Sequence, residues 1–142
     1  SNILQTATVT VASRGTLDVD GDGSVDSTDG ILILRHLMGL PDSILTGGIT
    51  LPVHGGGEAV GGTPAHRQMI HAGITQNRVA YDIDGDGDAD INDGILILRR
   101  LLNLPDATLA NGITLPEGVG GTEPDGSRTG EEINAVIETL MP

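Results

Sequence analysis

The chain has 142 residues, about one domain or two very small ones, and sets 7 Lys plus Arg against 20 Asp plus Glu, a formal charge of −13. That balance argues against nucleic acid and anionic membrane surfaces as partners. The lack of any cysteine excludes disulfides, thiolate metal sites and a Cys nucleophile. Aromatic residues are 1% of the chain, Tyr81 alone, yet 37% of residues are hydrophobic, so the core is built from Ile, Leu and Val rather than left disordered. No apolar run approaches the roughly 20 residues that span a bilayer, and no signal peptide is visible.

Residues 1–16 read as a linker or leader, with the alternation TATVTVA at 6–12 suiting a short or edge strand. The segment from Leu17 to Pro52 then recurs from Tyr81 to Pro116. Between Asp18 and Pro52, 23 of 35 positions match their partners 64 residues on, so the unit is duplicated. The expected organisation is a single domain over 17–142, made of repeat 17–80 and repeat 81–142.

Each repeat opens on an Asp/Gly-rich loop, 18–29 or 82–93, that runs directly into the apolar stretches Ile31 to Leu40 and Ile95 to Leu104. Their length, the cations Arg35-His36 and Arg99-Arg100 near the end, and the following Pro41 and Pro105 predict helices. Ile33, Leu37 and Leu40 share one face, while Ile31, Leu34 and Met38 share another. Such a helix needs cover on two sides, and its own duplicate is the obvious partner. Connectors ending in Gly-Ile-Thr-Leu-Pro (48–52, 112–116) predict ordered loops packing Ile49, Leu51, Ile113 and Leu115. Glycine-rich stretches follow at 55–62 and 118–121. Thr63-Pro64 and the capping box Thr129-Gly-Glu-Glu132 then mark two further helix starts. These helices are expected to bury Met69, Ile70 and Ile74, and Ile133, Val136, Ile137 and Leu140. The fold expected is all-α and loop-rich: two loop–helix units in a pseudo-two-fold pair with two additional helices.

The loops carry the chemistry. Asp18, Asp20, Asp22, Asp26 and Asp29 fall at the first, third, fifth, ninth and twelfth places of a twelve-residue loop, with Gly23 sixth. Asp82, Asp84, Asp86, Asp90 and Asp93 repeat the pattern, with Gly87 sixth. This is the spacing of a Ca²⁺ loop, in which alternate side chains converge, the glycine permits a sharp turn, and the twelfth residue returns a carboxylate from the incoming helix. Ser24 and Asp88, at the seventh place, are expected to offer backbone carbonyls. Eleven of the twenty acidic residues lie in these two loops, where self-repulsion without a cation would oppose folding. Two Ca²⁺ ions are the expected cofactors. Mg²⁺ fits less well, because it prefers six-fold geometry and retained water.

A loop that enters a helix without a preceding helix resembles the dockerin version of the EF-hand. Dockerins are secreted modules with two calcium loop–helix units that dock catalytic subunits of polysaccharide-degrading complexes onto cohesin domains. The resemblance covers 17–40 and 81–104. It includes Asp rather than Glu at the twelfth place, the Ser27-Thr28 pair that many dockerins use toward cohesin, and the basic positions Arg35 and Arg99. It implies a calcium-binding module of an extracellular or cell-surface bacterial protein, with a cohesin-like partner reached through Ser27, Thr28, Arg35, Arg99 and Arg100. The chain departs from the family in its long repeat spacing, in Ile91-Asn92 replacing Ser27-Thr28, in Ala89 at the eighth place, and in Gly30 and Gly94 at the helix starts. The alternative is a calcium-stiffened connector of a large extracellular protein with no cohesin partner.

His36, His54, His66 and His71 lack a metalloprotease pattern and read as surface histidines. Glu131, Glu132 and Glu138 read as capping and solvating groups. The three arginines read first as helix-end cations. No nucleophile and base can be assembled, so neither enzymatic activity nor a small-molecule substrate is expected.

Overall fold

The computed structural model describes residues 16–52 and 58–141. The expected leader therefore lies, Thr16 apart, outside the described residues, as does His54. Among the described residues five α-helices carry most of the regular structure: α1 (Ser27–Leu37), α2 (Asp42–Leu45), α3 (Pro64–Gln76), α4 (Ile91–Leu101) and α5 (Gly130–Glu138). Single 3₁₀ turns lie at Arg78–Tyr81 and Asp106–Thr108. Strands β1 (Thr50–Pro52) and β2 (Glu58–Val60) form a small antiparallel ladder with Leu51 opposite Ala59. The ladder is an addition to the all-α expectation, and only the first connector has a short extended segment after it to pair with. In the second repeat the chain after Pro116 bonds within itself instead, through Gly118 N to the Asp125 carbonyl and Val119 N to the Gly126 carbonyl.

The two loop helices start and end earlier than the apolar runs suggest. Asp26 and Asp90 are N-caps in extended conformation, accepting from the amides of Thr28 and Asn92, while Asp29 and Asp93 reach back to complete capping boxes. The helix thus begins four residues before Ile31 or Ile95, because loop carboxylates satisfy its first free amides. At the other end Gly39 (φ +84°) and Asn103 (φ +64°) turn left-handed. Leu40 N then donates to the Arg35 carbonyl and Leu104 N to the Arg99 carbonyl, closing a Schellman motif ahead of each proline. The connectors are pinned from the helix. Arg35 Nη1 donates to the carbonyls of Leu45 (3.1 Å) and Gly47 (2.8 Å), and Arg99 Nη1 to those of Leu109 (2.9 Å) and Asn111 (2.7 Å).

Helices α1 and α4 pack on one another, each contributing its duplicate of the same surface. Gly30 faces Leu98 and Gly94 faces Leu34, so the helices run antiparallel and exchange equivalent contacts. The approach is close: a Cβ on Gly30 would lie 3.1 Å from the Leu98 Cα, and one on Gly94 3.0 Å from the Leu34 Cα. Glycine at these helix starts therefore lets two backbones meet. Leu32, Ile33, Leu96 and Ile97 of the two helices are fully buried in the core, joined by Leu37 and Leu101. Ile31 and Leu34 are half-buried and Met38 is exposed, so the second apolar face is covered only in part.

The further helices follow their caps. Thr63 accepts from His66 N ahead of Pro64, and Thr129 with Glu132 forms the capping box. Ile70 and Ile74, and Ile133 and Ile137, sit four apart and are buried, with Val136 and Leu140 beside the second pair. Met69 corrects the expectation: it lies off that stripe and is 70% exposed. Leu51 is fully buried, and Ile49, Ile113 and Leu115 pack against the core from the connectors. The lone aromatic, Tyr81, is fully buried and donates to the Thr16 carbonyl (2.9 Å). The amides of Thr16 and Leu17 in turn bond the Leu140 carbonyl, so both ends of the described chain meet.

The glycine crossing yields a stability test. Gly30→Ala or Gly94→Ala forces the helices apart and is expected to cost about 1–3 kcal/mol in denaturant unfolding. Gly73→Ala, on α3 with open space around it, is expected to be neutral or slightly stabilising.

Candidate metal centre

Each loop folds around its own carboxylates, one oxygen at a time. Asp18 Oδ2 accepts from Gly23 N (3.1 Å), Asp20 Oδ1 from Asp22 N (3.2 Å) and Asp22 Oδ1 from Ser24 N (2.9 Å). The second loop repeats this with Asp82 Oδ2 and Gly87 N (2.9 Å), Asp84 Oδ1 and Asp86 N (3.2 Å), and Asp86 Oδ1 and Asp88 N (2.9 Å). These local bonds turn the alternate side chains inward. Gly23 (φ +89°) and Gly87 (φ +95°) make the left-handed turn at the sixth place, where any Cβ would be strained.

The twelfth residue closes the loop. Asp29 is fully buried; its Oδ1 accepts from the amides of Val19 (2.9 Å) and Asp20 (3.3 Å), its Oδ2 from Asp26 N (2.9 Å). Asp93, also fully buried, takes Ile83 N (2.7 Å), Asp84 N (3.0 Å) and Asp90 N (2.8 Å) in the same way. One carboxylate thus ties the entry of the loop to the first turn of the helix.

The outcome is two clusters, Asp18, Asp20, Asp22 and Asp29, and Asp82, Asp84, Asp86 and Asp93. In each, the four ligand oxygens lie within 4.8 Å of one another and could hold a metal ion. Asp18 Oδ1 is buried with no hydrogen-bond donor among the described residues, an acceptor left free for an ion or a water. Burial is the leading cause of the raised pKa values: it pushes Asp20 up to about 8, Asp29 and Asp93 to about 7, and Asp84 to about 6. Neighbouring charge adds to this, from Asp29 on Asp20 and from Asp86 on Asp84. Four carboxylates this close cannot all ionise cheaply without a counter-charge. An all-oxygen, all-carboxylate donor set fits a hard divalent cation and lacks the imidazole or thiolate that zinc and copper favour.

Eight of the twelve loop residues singled out in the sequence are brought together. Asp26 and Asp90 sit at the N-caps and bind helix amides. Ser24 and Asp88 are exposed, their amides donating to the fifth-place carboxylates. Ser27 and Thr28 are half-buried in the first turn of α1. Arg35 and Arg99 hold their own connectors, and Arg100 bonds Asn134 Oδ1 and lies 3.6 Å from Glu138 Oε1. The histidines are not all surface groups. His36 is buried, packs against His71 with ring centroids 4.6 Å apart and planes tilted by 45°, and meets Thr75 Oγ1 at 3.0 Å, while His66 Nε2 lies 3.2 Å from the Asp20 carbonyl oxygen. Sequence reading missed Arg128, whose Nη1 donates to the Ile83 carbonyl of the second loop. It stands 45 residues away with no periodicity linking the two. Among the described residues no helix is long and apolar enough to cross a membrane. No family model matches the chain, and no curated protein or solved structure matches it.

The raised pKa values predict an unusual pH profile without divalent cations. Between the unfolded carboxylate value near 4 and the folded values of about 6 to 8, the folded chain binds more protons than the unfolded one. Its stability therefore falls as pH rises through that window. In chelator, calorimetric Tm is expected to be higher at pH 5 than at pH 8, and a Tm rising over that interval would contradict the clusters as drawn.

Proposed function

We propose that the chain is a two-site calcium-binding module of a secreted or cell-surface protein, built on dockerin-like loop–helix repeats and serving protein–protein docking. The observation that carries the calcium reading is the convergence of four carboxylates in each loop, with the buried Asp18 Oδ1 lacking a hydrogen-bond donor among the described residues. Asp18, Asp20, Asp22 and Asp29 would hold one ion, and Asp82, Asp84, Asp86 and Asp93 the other, with the Ser24 and Asp88 carbonyls as further oxygens. Bound calcium would neutralise the clustered charge and so contribute to the folding free energy, since it binds the native loops far better than an open chain. No catalytic step belongs to this reading.

The docking role is supported by the resemblance at Ser27-Thr28 and points to a cohesin-like partner. A second role, as a calcium-stiffened connector without such a partner, is favoured by the arginines. Arg35, Arg99 and Arg100 all bond groups of this chain, and Ile91-Asn92 replaces Ser27-Thr28 in the second repeat.

At free calcium about 100-fold above Kd, each site is expected to add about 2.7 kcal/mol, seen calorimetrically as a large rise in Tm over the chelated chain. Asp20→Asn with Asp84→Asn should remove most of that rise, and an unchanged melt in chelator would sink the calcium reading. Docking has its own test, a pull-down from the source secretome in calcium and in chelator. Calcium-dependent capture of a cohesin-like protein, lost on Ser27→Ala with Thr28→Ala, supports docking; no capture in either condition supports the connector.

A further inference from the structure

The two loops share their carboxylates but differ in what grips them from outside. In the second repeat Arg128, half-buried just before the Thr129 cap of α5, reaches over the loop entrance. Its Nη1 donates to the Ile83 carbonyl, and its guanidinium lies against Gly85, where a Cβ would stand 3.0 Å from Cζ and 3.1 Å from Nη2. The peptide between Ile83 and Asp84 is therefore held at both ends. Its carbonyl accepts from Arg128, and its amide, Asp84 N, donates to Asp93 Oδ1 at 3.0 Å. Charge-assisted bonding at the carbonyl polarises the peptide and strengthens the amide as a donor. The bonds to the twelfth carboxylate are shorter here than in the first loop: 2.7 and 3.0 Å against 2.9 and 3.3 Å. In the first repeat the outside contact falls one peptide later and comes from an imidazole, His66 Nε2 on the Asp20 carbonyl.

We infer that Arg128 is a positioning residue for the second calcium site, presetting the peptide that orients Asp93, so that this loop binds its ion more tightly than the first. The inference rests on the calcium reading above and assigns the two sites unequal affinity. It also links occupancy of the second loop to the segment leading into α5, because the same side chain belongs to both.

The sign of the effect separates positioning from bare electrostatics. A guanidinium beside a cation site repels the ion, so if charge alone mattered its removal would tighten binding. If Arg128 positions the ligand, its removal weakens binding, as loss of such outer partners does by about 10–100-fold. The test is a calcium titration of the full 142-residue chain followed by amide NMR. Gly23 and Gly87 report one loop each, since their amides donate to Asp18 and Asp82. In Arg128→Gln, Gly87 is expected to require at least about tenfold more calcium while Gly23 stays within about twofold. Arg128→Lys keeps the charge but lacks the planar fork, and is expected to weaken the Gly87 site as well; it also stands in if the glutamine variant does not fold. Tighter binding at Gly87 in Arg128→Gln, no change at either glycine, or equal weakening at both overturns the positioning role. Failure of both glycines to respond in the unmodified chain overturns the calcium reading itself.

Discussion

Everything in each repeat hangs from a fully buried carboxylate, Asp29 or Asp93. Its oxygens collect three backbone amides, two from the loop entry and one from the N-cap, and so fix where the chain turns and where the helix begins. The same group stands within 4.8 Å of three other carboxylates, an arrangement whose repulsion opposes folding until protons or a cation intervene. Loop closure, helix start and the carboxylate cluster that could hold an ion thus depend on one side chain.

The loops are presented by a helix pair whose geometry depends on the absence of two side chains. Gly30 and Gly94 let α1 and α4 meet backbone to backbone, and the duplicated surface supplies both halves of the crossing. A single copy would leave the Gly30–Leu34 face of its loop helix uncovered; its twin covers that face with Gly94, Leu98 and Leu101. Duplication therefore completes a core that one repeat lacks.

Outside that shared frame the repeats have diverged. Ile70 and Ile74 of α3 correspond to Ile133 and Ile137 of α5 as the buried pair, and the residue after each faces the loop helix. In the second repeat those residues, Asn134 and Glu138, meet Arg100. In the first, His71 and Thr75 meet His36. The same positions hold a charged network in one half and a tilted imidazole pair in the other, and the loop contacts of Arg128 and His66 follow the same division.

Much of this was legible in the residues. The duplication, the eight converging aspartates, the glycines at the sixth places, the caps at Thr63 and Thr129, and the pairing of the loop helices all follow from local spacing and apolar pattern, because each depends on neighbours within a turn or on a face repeated at fixed intervals. Only the tertiary structure decided what depends on distant groups. Asp26 and Asp90 cap the helices through Oδ1, bonding the amides of Thr28 and Asn92. Gly30 and Gly94 are small because of a helix that passes across them. Met69 is turned outward, His36 is buried, Arg35 and Arg99 are spent on their own connectors, and Arg128 grips a loop 45 residues away. Spacing along a chain encodes which side chains converge in a turn; which backbone carbonyl a long cationic side chain finds is settled only when the packed helices bring the two within reach.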